Sequence, residues 1–160
     1  MDHGPLHLLD FVDRSGKVEQ TFSTTPEDQL PAGTNAFGGT KPLFVLTTSE
    51  TISGGEDMAY SLQAFKRSKA TIGEGNEATA GAANPITHPR HICEDIFGKR
   101  WWLVAVPNVK PVHAITGSNW EGVGVKSDFI AGKGMWEGVP DAQEVGRRLT
   151  RQYLEPEQEL

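Results

Sequence analysis

The stretch PLFVLTTSETISGGEDMAYSLQAFKRSKATIGE, residues 42–74, decides the fold. Its first part, LFVLT (43–47), is continuously apolar and rich in strand formers, the pattern of a strand buried on both faces by flanking helices. Residues 56–67, EDMAYSLQAFKR, put Met58 or Ala59, Leu62 and Phe65 on one face and read as a helix. Glu56 and Asp57 in its first turn and Lys66 and Arg67 in its last complement the helix dipole. Residues 70–72 supply a second, short strand. Strand, helix and strand within about thirty residues make a βαβ unit, which requires a parallel pair and a crossover helix.

Upstream, residues 6–22 hold two extended pieces, LHLLDFV and KVEQTF, joined at Asp13, Arg14, Ser15 and Gly16, whose residue types suit a hairpin turn. Residues 23–42 are rich in Pro and Gly and read as a surface loop, as do residues 73–92. Downstream, WWLVAV (101–106) is a strand candidate, and residues 122–125 with Phe129 and Ile130 suggest one more. A terminal helix is expected over about 141–154. Asp141 with Glu144 three residues later makes a capping-box-like start, and Val145, Leu149 and Tyr153 share a face. The class is α/β. The echo of WEGV at 120–123 and 136–139 is too short to be a structural repeat.

A chain of 160 residues, 37% apolar and 22% charged, fits one packed domain over residues 1–160. Its net charge of −6 gives no reason to expect nucleic acid or an anionic membrane as partner. The basic group Lys66, Arg67 and Lys69 reads as a solvated helix end. One cysteine, Cys93, excludes an internal disulfide and any multi-thiolate metal site. His88 and His91 lack a third ligand at matching spacing, so neither a metal nor a cofactor is expected. No apolar run approaches the roughly 18 residues of a membrane span, and residues 1–9 lack the marks of a secretory signal.

The chemistry gathers at residues 47–57, TTSETISGGED, where a serine follows a buried strand and precedes a helix. Unpaired backbone N–H groups and the positive end of the helix dipole converge there, a good place for an oxyanion. Gly54 and Gly55 let the main chain turn sharply behind Ser53 and present its amides unobstructed. Ser53 is equally suited to be a plain N-cap, and spacing alone does not choose it over Thr47, Thr48, Ser49 or Thr51.

The order and spacing of three segments, residues 42–74, TAGAANP (79–85) and ITGSNWEGVGVKSD (115–128), resemble the C-terminal two thirds of the tail-specific (C-terminal processing) serine peptidase domain. The resemblance runs over roughly residues 6–150, with the motif core at 42–130. NWEGVGV without a lysine-bearing loop is similar to the interphotoreceptor retinoid-binding-protein-like branch, and to tricorn-type peptidases. The resemblance implies a partial crotonase-like (ClpP/crotonase) core with extra β segments and a C-terminal helix. It further implies that the chain lacks the N-terminal part of the domain, that its substrate is a polypeptide, and that the setting is periplasmic or extracellular. In the T-x-S-x-x-E motif the nucleophile position falls on Ser53, with Thr51 and Glu56 at the flanking positions. The Gly54 N–H becomes an oxyanion donor, and Glu121 falls where tricorn-like relatives carry a catalytic glutamate.

Two departures matter. A serine needs a proton acceptor, and the family's usual lysine is absent: Gly73 and Glu74 are followed by GNEATAGAANP, with small residues near Gly81 and Ala82 at the lysine position. The upstream segment from which tricorn-like relatives draw a histidine is also missing. His88, His91 and His113 read as surface or loop residues, and His3 and His7 lie in the leading stretch. Two rivals stand beside the peptidase: a carrier of retinoid or another hydrophobic small ligand, for which Phe97, Trp101 and Trp102 offer lining, and an inactive fragment.

Overall fold

The computed structural model describes residues 5–34, 41–74, 91–94, 101–104, 107–132 and 140–155. The chain divides into two compact units, one built from residues 1–4, 25–82 and 120–160, the other from 5–24 and 83–119.

The second unit is antiparallel. β1 (His7–Asp13) lies between β2 (Val18–Ser23) and β7 (Val109–His113). The expected hairpin is present, with Gly16 at φ 88° in its turn. Asp13 organises that turn: its Oδ1 accepts from the Ser15 hydroxyl at 2.7 Å and from the Ser15 and Lys17 amides at 2.8 and 2.9 Å. These bonds, the Ser15 hydroxyl first, hold the Asp13 carboxyl below its ordinary value of 3.8. Leu9, Phe11 and Val109 are buried, and the Phe11 and Phe22 rings meet edge to face at 4.8 Å. β7 escapes sequence reading because Pro111 interrupts its pattern. Proline cannot donate to a ladder, and β7 accommodates it as the outer strand of this sheet, Pro111 standing opposite Phe11. β5 (His91–Glu94) pairs antiparallel with β6 (Trp101–Val104), so the end of the stretch read as loop is a strand.

The first unit contains the βαβ core. β3 (Phe44–Thr47) and β4 (Ala70–Glu74) are parallel and joined through α1 (Gly54–Ala64), and β8 (Phe129–Ala131) adds in parallel on the far side of β4. Residues 122–125 are turn and irregular chain, so this third strand is only the Phe129 end of the expected element. α2 (Ala142–Leu154) packs across all three strands. Asp141 is its N-cap, with Oδ1 accepting from the Glu144 amide at 2.7 Å. The Glu144 carboxylate turns to Arg148 at 2.9 Å instead of back to the cap, and this pairing lowers its pKa.

Strand alternation explains the packing. Register pairs Phe44 with Ala70 and Leu46 with Ile72, so these residues share the face that α2 covers. Ile72, Ala131 and Ala142 are the buried centre there, flanked by Phe44, Val145 and Leu149. Gly146 brings α2 close: a Cβ on it would lie 3.3 Å from Leu46 Cδ2 and 3.5 Å from Ile72 Cδ1. β3 is nevertheless not buried on both faces, since Leu46 is 46% exposed. Among the described residues it is an outer strand of three.

α1 begins two residues earlier and ends three earlier than its apolar pattern suggests. Lys66 takes φ 55° just past its end, and the Arg67 amide folds back to the Leu62 carbonyl at 2.8 Å. Lys66 and Arg67 therefore lie beyond the last turn. The basic group is not simply solvated either: Arg67 Nη1 donates to the Lys41 carbonyl at 3.0 Å, and Lys69 Nζ sits 5.3 Å from the centre of the Tyr153 ring.

Candidate functional site

The junction between β3 and α1 is a tight turn whose hydroxyls are mostly committed. Thr47, the last residue of β3, is buried. The Thr48 amide donates to Thr51 Oγ1 at 3.0 Å, the Thr51 amide to the Thr48 carbonyl at 3.0 Å, and the Glu50 amide to Thr48 Oγ1 at 3.1 Å. Thr48 and Thr51 therefore build the turn. Thr51 Cγ2 also explains Gly55, because a Cβ there would come within 3.1 Å of it.

Ser53 stands apart from its hydroxyl neighbours. It is exposed at the N-cap of α1 with φ 55° and ψ −117°, a left-handed conformation foreign to an ordinary serine cap, which is extended. The sharp turn falls on Ser53 itself, whereas Gly54 and Gly55 lie in the helix. A residue with a side chain held there costs on the order of 1–3 kcal/mol, and such strain collects at sites where the side chain's aim matters. Ser53→Gly should therefore raise stability by about 1 kcal/mol, the relief less the extra unfolded-state freedom of glycine. Ser53→Ala, which keeps a Cβ, should not. Urea midpoints of the parent and the two variants check this.

The hydroxyl of Ser53 approaches the Glu56 backbone with the outline of a capping box but makes no cap hydrogen bond. The bond that is made runs the other way, from the Ser53 amide to Glu56 Oε2 at 2.8 Å. Glu56 is fully buried. Gly54 is exposed, its N–H has no partner among the described residues, and a Cβ on it would meet nothing within 4 Å.

Glu121 occupies an exposed turn next to buried Trp120. The Val123 and Gly124 amides donate to the Trp120 carbonyl, and Gly122 and Gly124 take positive φ. This turn is anchored on α1 at Tyr60, whose ring lies 5.5 Å from that of Trp120, and at Gln63, whose Nε2 donates to the Lys126 carbonyl at 2.8 Å. Tyr60 is seven residues past Ser53, about 10 Å along a helix axis. These two anchors lie along the body of α1.

His113 is not a surface or loop residue. It ends β7, fully buried, and its Nδ1 accepts from the Ile115 amide at 3.2 Å, which makes the ring part of the 114–117 turn. His7 pairs with Asp10 at 3.0 Å. His3, His88, Phe97, Gly81, Ala82, the 79–85 motif and the second WEGV lie outside the described residues, as do the side chains of His91, Cys93, Trp101 and Trp102. Among the described residues no three His, Cys, Asp or Glu side chains are grouped to hold a metal, and no helix is long and apolar enough to cross a membrane.

Sequence reading missed Ser127 and Asp128. The Thr71 amide donates to Asp128 Oδ2 and the Asp128 amide to the Thr71 carbonyl, both at 2.8 Å, which ties the segment entering β8 to β4. Ser127 then lies against Gly73, opposite Thr47, at the carboxyl ends of the strands.

Fold and junction together define a mixed α/β protein with a parallel βαβ core and a strained serine between its first strand and helix. No protein-family model and no curated protein matches the sequence. Among solved structures it resembles the photosystem II D1 C-terminal processing protease, with a TM-score of 0.54 and 20% identity over 91% of this chain. The chain spans 32% of the length of that protease. The likeness is distant and shows the fold.

Proposed function

We propose that this chain is the nucleophile-bearing part of a serine-type peptidase with a crotonase-like core, which cleaves polypeptides by acyl transfer. The conformation of Ser53 carries the reading: a strained, exposed serine between a parallel strand and a helix N-terminus, with an unpaired amide beside it. In this scheme Ser53 Oγ attacks the scissile carbonyl and gives up its proton to a base. The oxyanion forms against the Gly54 N–H, and the tetrahedral adduct collapses to an acyl-serine as the amine leaves with a proton. Water then releases the acid and restores the serine. One such donor is worth about 2.7–4 kcal/mol of transition-state stabilisation. The base reaches the elbow from elsewhere, since the hydroxyls and carboxylate within it are committed to the turn. Glu121 supports the site from its loop rather than reacting.

The likeness to a C-terminal processing protease is consistent with a polypeptide substrate. Treating the whole chain with a biotinylated aryl fluorophosphonate should leave an adduct on the Ser53 peptide, read by mass spectrometry. Equal labelling of Ser53→Ala, or an adduct on another residue, overturns the assignment.

A further inference from the structure

We infer that Glu56 is a positioning residue that holds the Ser53 main chain in its reactive conformation and, by doing so, selects the oxyanion donor. The inference rests on the reading of Ser53 as nucleophile. Three observations carry it. Ser53 holds a left-handed conformation that its own side chain does not favour, so its surroundings must impose it. The contact that fixes its amide is a 2.8 Å bond to a carboxylate, and that carboxylate is fully buried, so it cannot swing away into solvent. A carboxyl group that reaches back to an amide at a helix N-terminus is favoured by the helix dipole, and amide bonds to carboxylates are among the stronger kinds available to a protein.

An inventory of the amides shows the second effect. The Ser53 N–H is taken by Glu56, the Gly55 N–H by the Ile52 carbonyl at 3.0 Å and the Asp57 N–H by the Ser53 carbonyl at 3.0 Å. Between the Ser53 and Gly55 amides, the Gly54 N–H has no partner among the described residues. In many serine enzymes the nucleophile's own amide helps to hold the oxyanion. Here Glu56 withdraws that amide and leaves the next one. The carboxylate thus acts through the backbone, touching neither substrate nor the serine hydroxyl's proton. Its place three residues after the serine is the S-x-x-E spacing at which a glutamate reaches back to an N-cap amide.

The test uses the whole chain with Glu56→Ala and Glu56→Gln, folding being checked by circular dichroism. Two quantities are read: the rate of fluorophosphonate labelling of Ser53, and the exchange rate of the Ser53 amide by NMR. Glu56→Ala should slow labelling and speed exchange, each about ten- to a hundredfold, the range for losing one bond to a charged acceptor. Glu56→Gln keeps an acceptor without the charge and should recover a substantial part of both. Should Glu56→Ala fail to fold, Glu56→Gln against the parent decides, with faster Ser53 exchange expected. A folded variant whose Ser53 exchange is unchanged overturns the inference. Absence of any adduct in the parent overturns instead the nucleophile reading, and the exchange data still report on the Glu56 bond.

Discussion

Ile72→Ala should destabilise the first unit by about 2–5 kcal/mol, the range for truncating a fully buried aliphatic side chain. Ile72 is completely buried at the centre of the cluster with Ala131 and Ala142, between β4 and α2. The neighbours buried with it are poorly placed to fill the gap, which leaves only the partly buried Phe44, Val145 and Leu149 to shift. Ala131 and Ala142 have no side chain beyond Cβ to move inward, and Gly146, whose added Cβ would already be 3.5 Å from Ile72 Cδ1, offers nothing. The upper half of the range is therefore expected, and urea titration followed by far-ultraviolet dichroism measures it. An effect below about 1 kcal/mol would mean that α2 does not rest on β4 as described.

Gly73→Ala should cost about 1–3 kcal/mol by the opposite mechanism, overpacking. A Cβ on Gly73 runs into the Ser127 side chain, lying 3.0 Å from Ser127 Cβ and 3.4 Å from Thr47 Oγ1. A hydroxyl can rotate aside, but the Ser127 Cβ moves only with its backbone, and Asp128 next to it is fastened to Thr71 by two 2.8 Å hydrogen bonds. Gly73→Val should cost more. The pair Gly73→Ala with Ser127→Gly should restore most of the loss, because the second change empties the space that the first needs. The double-mutant cycle reads this as a coupling opposite in sign to the Gly73→Ala loss and similar in size, and simple additivity would exclude the contact.

The parallel core was legible because its evidence is local: an apolar strand, a helix with one apolar face and a second strand follow one another within residues 43–74. The Asp141 cap was legible for the same reason. What escaped depends on neighbours distant in sequence. Pro111 argues against a strand until β7 is seen at the outside of its sheet among the described residues, and the continuous run at 43–47 argues for burial on both faces until Leu46 is seen to be exposed. Phe65 carries the apolar face on to the C-cap, and Lys66 at positive φ stops the helix there although the pattern of residue types runs on to Arg67. At the site, residue types pointed to Ser53, yet the two glycines drew attention as the turning point when the serine itself makes the turn. Glu56 was visible as a helix-dipole charge and as a flanking position of the motif, although its spacing from Ser53 already carried the signal of a bond back to the cap.

The tie between Thr71 and Asp128 also bears on the order in which the chain assembles. Its two residues are 57 apart, whereas β3, α1 and β4 are consecutive. Closing the longer loop is the entropically dearer step, so the serine elbow takes shape while the strand that completes its sheet is still unpaired. During that interval Phe44, Leu46 and Ile72 face water, and the newly made chain is at its most adhesive before α2 arrives to cover them.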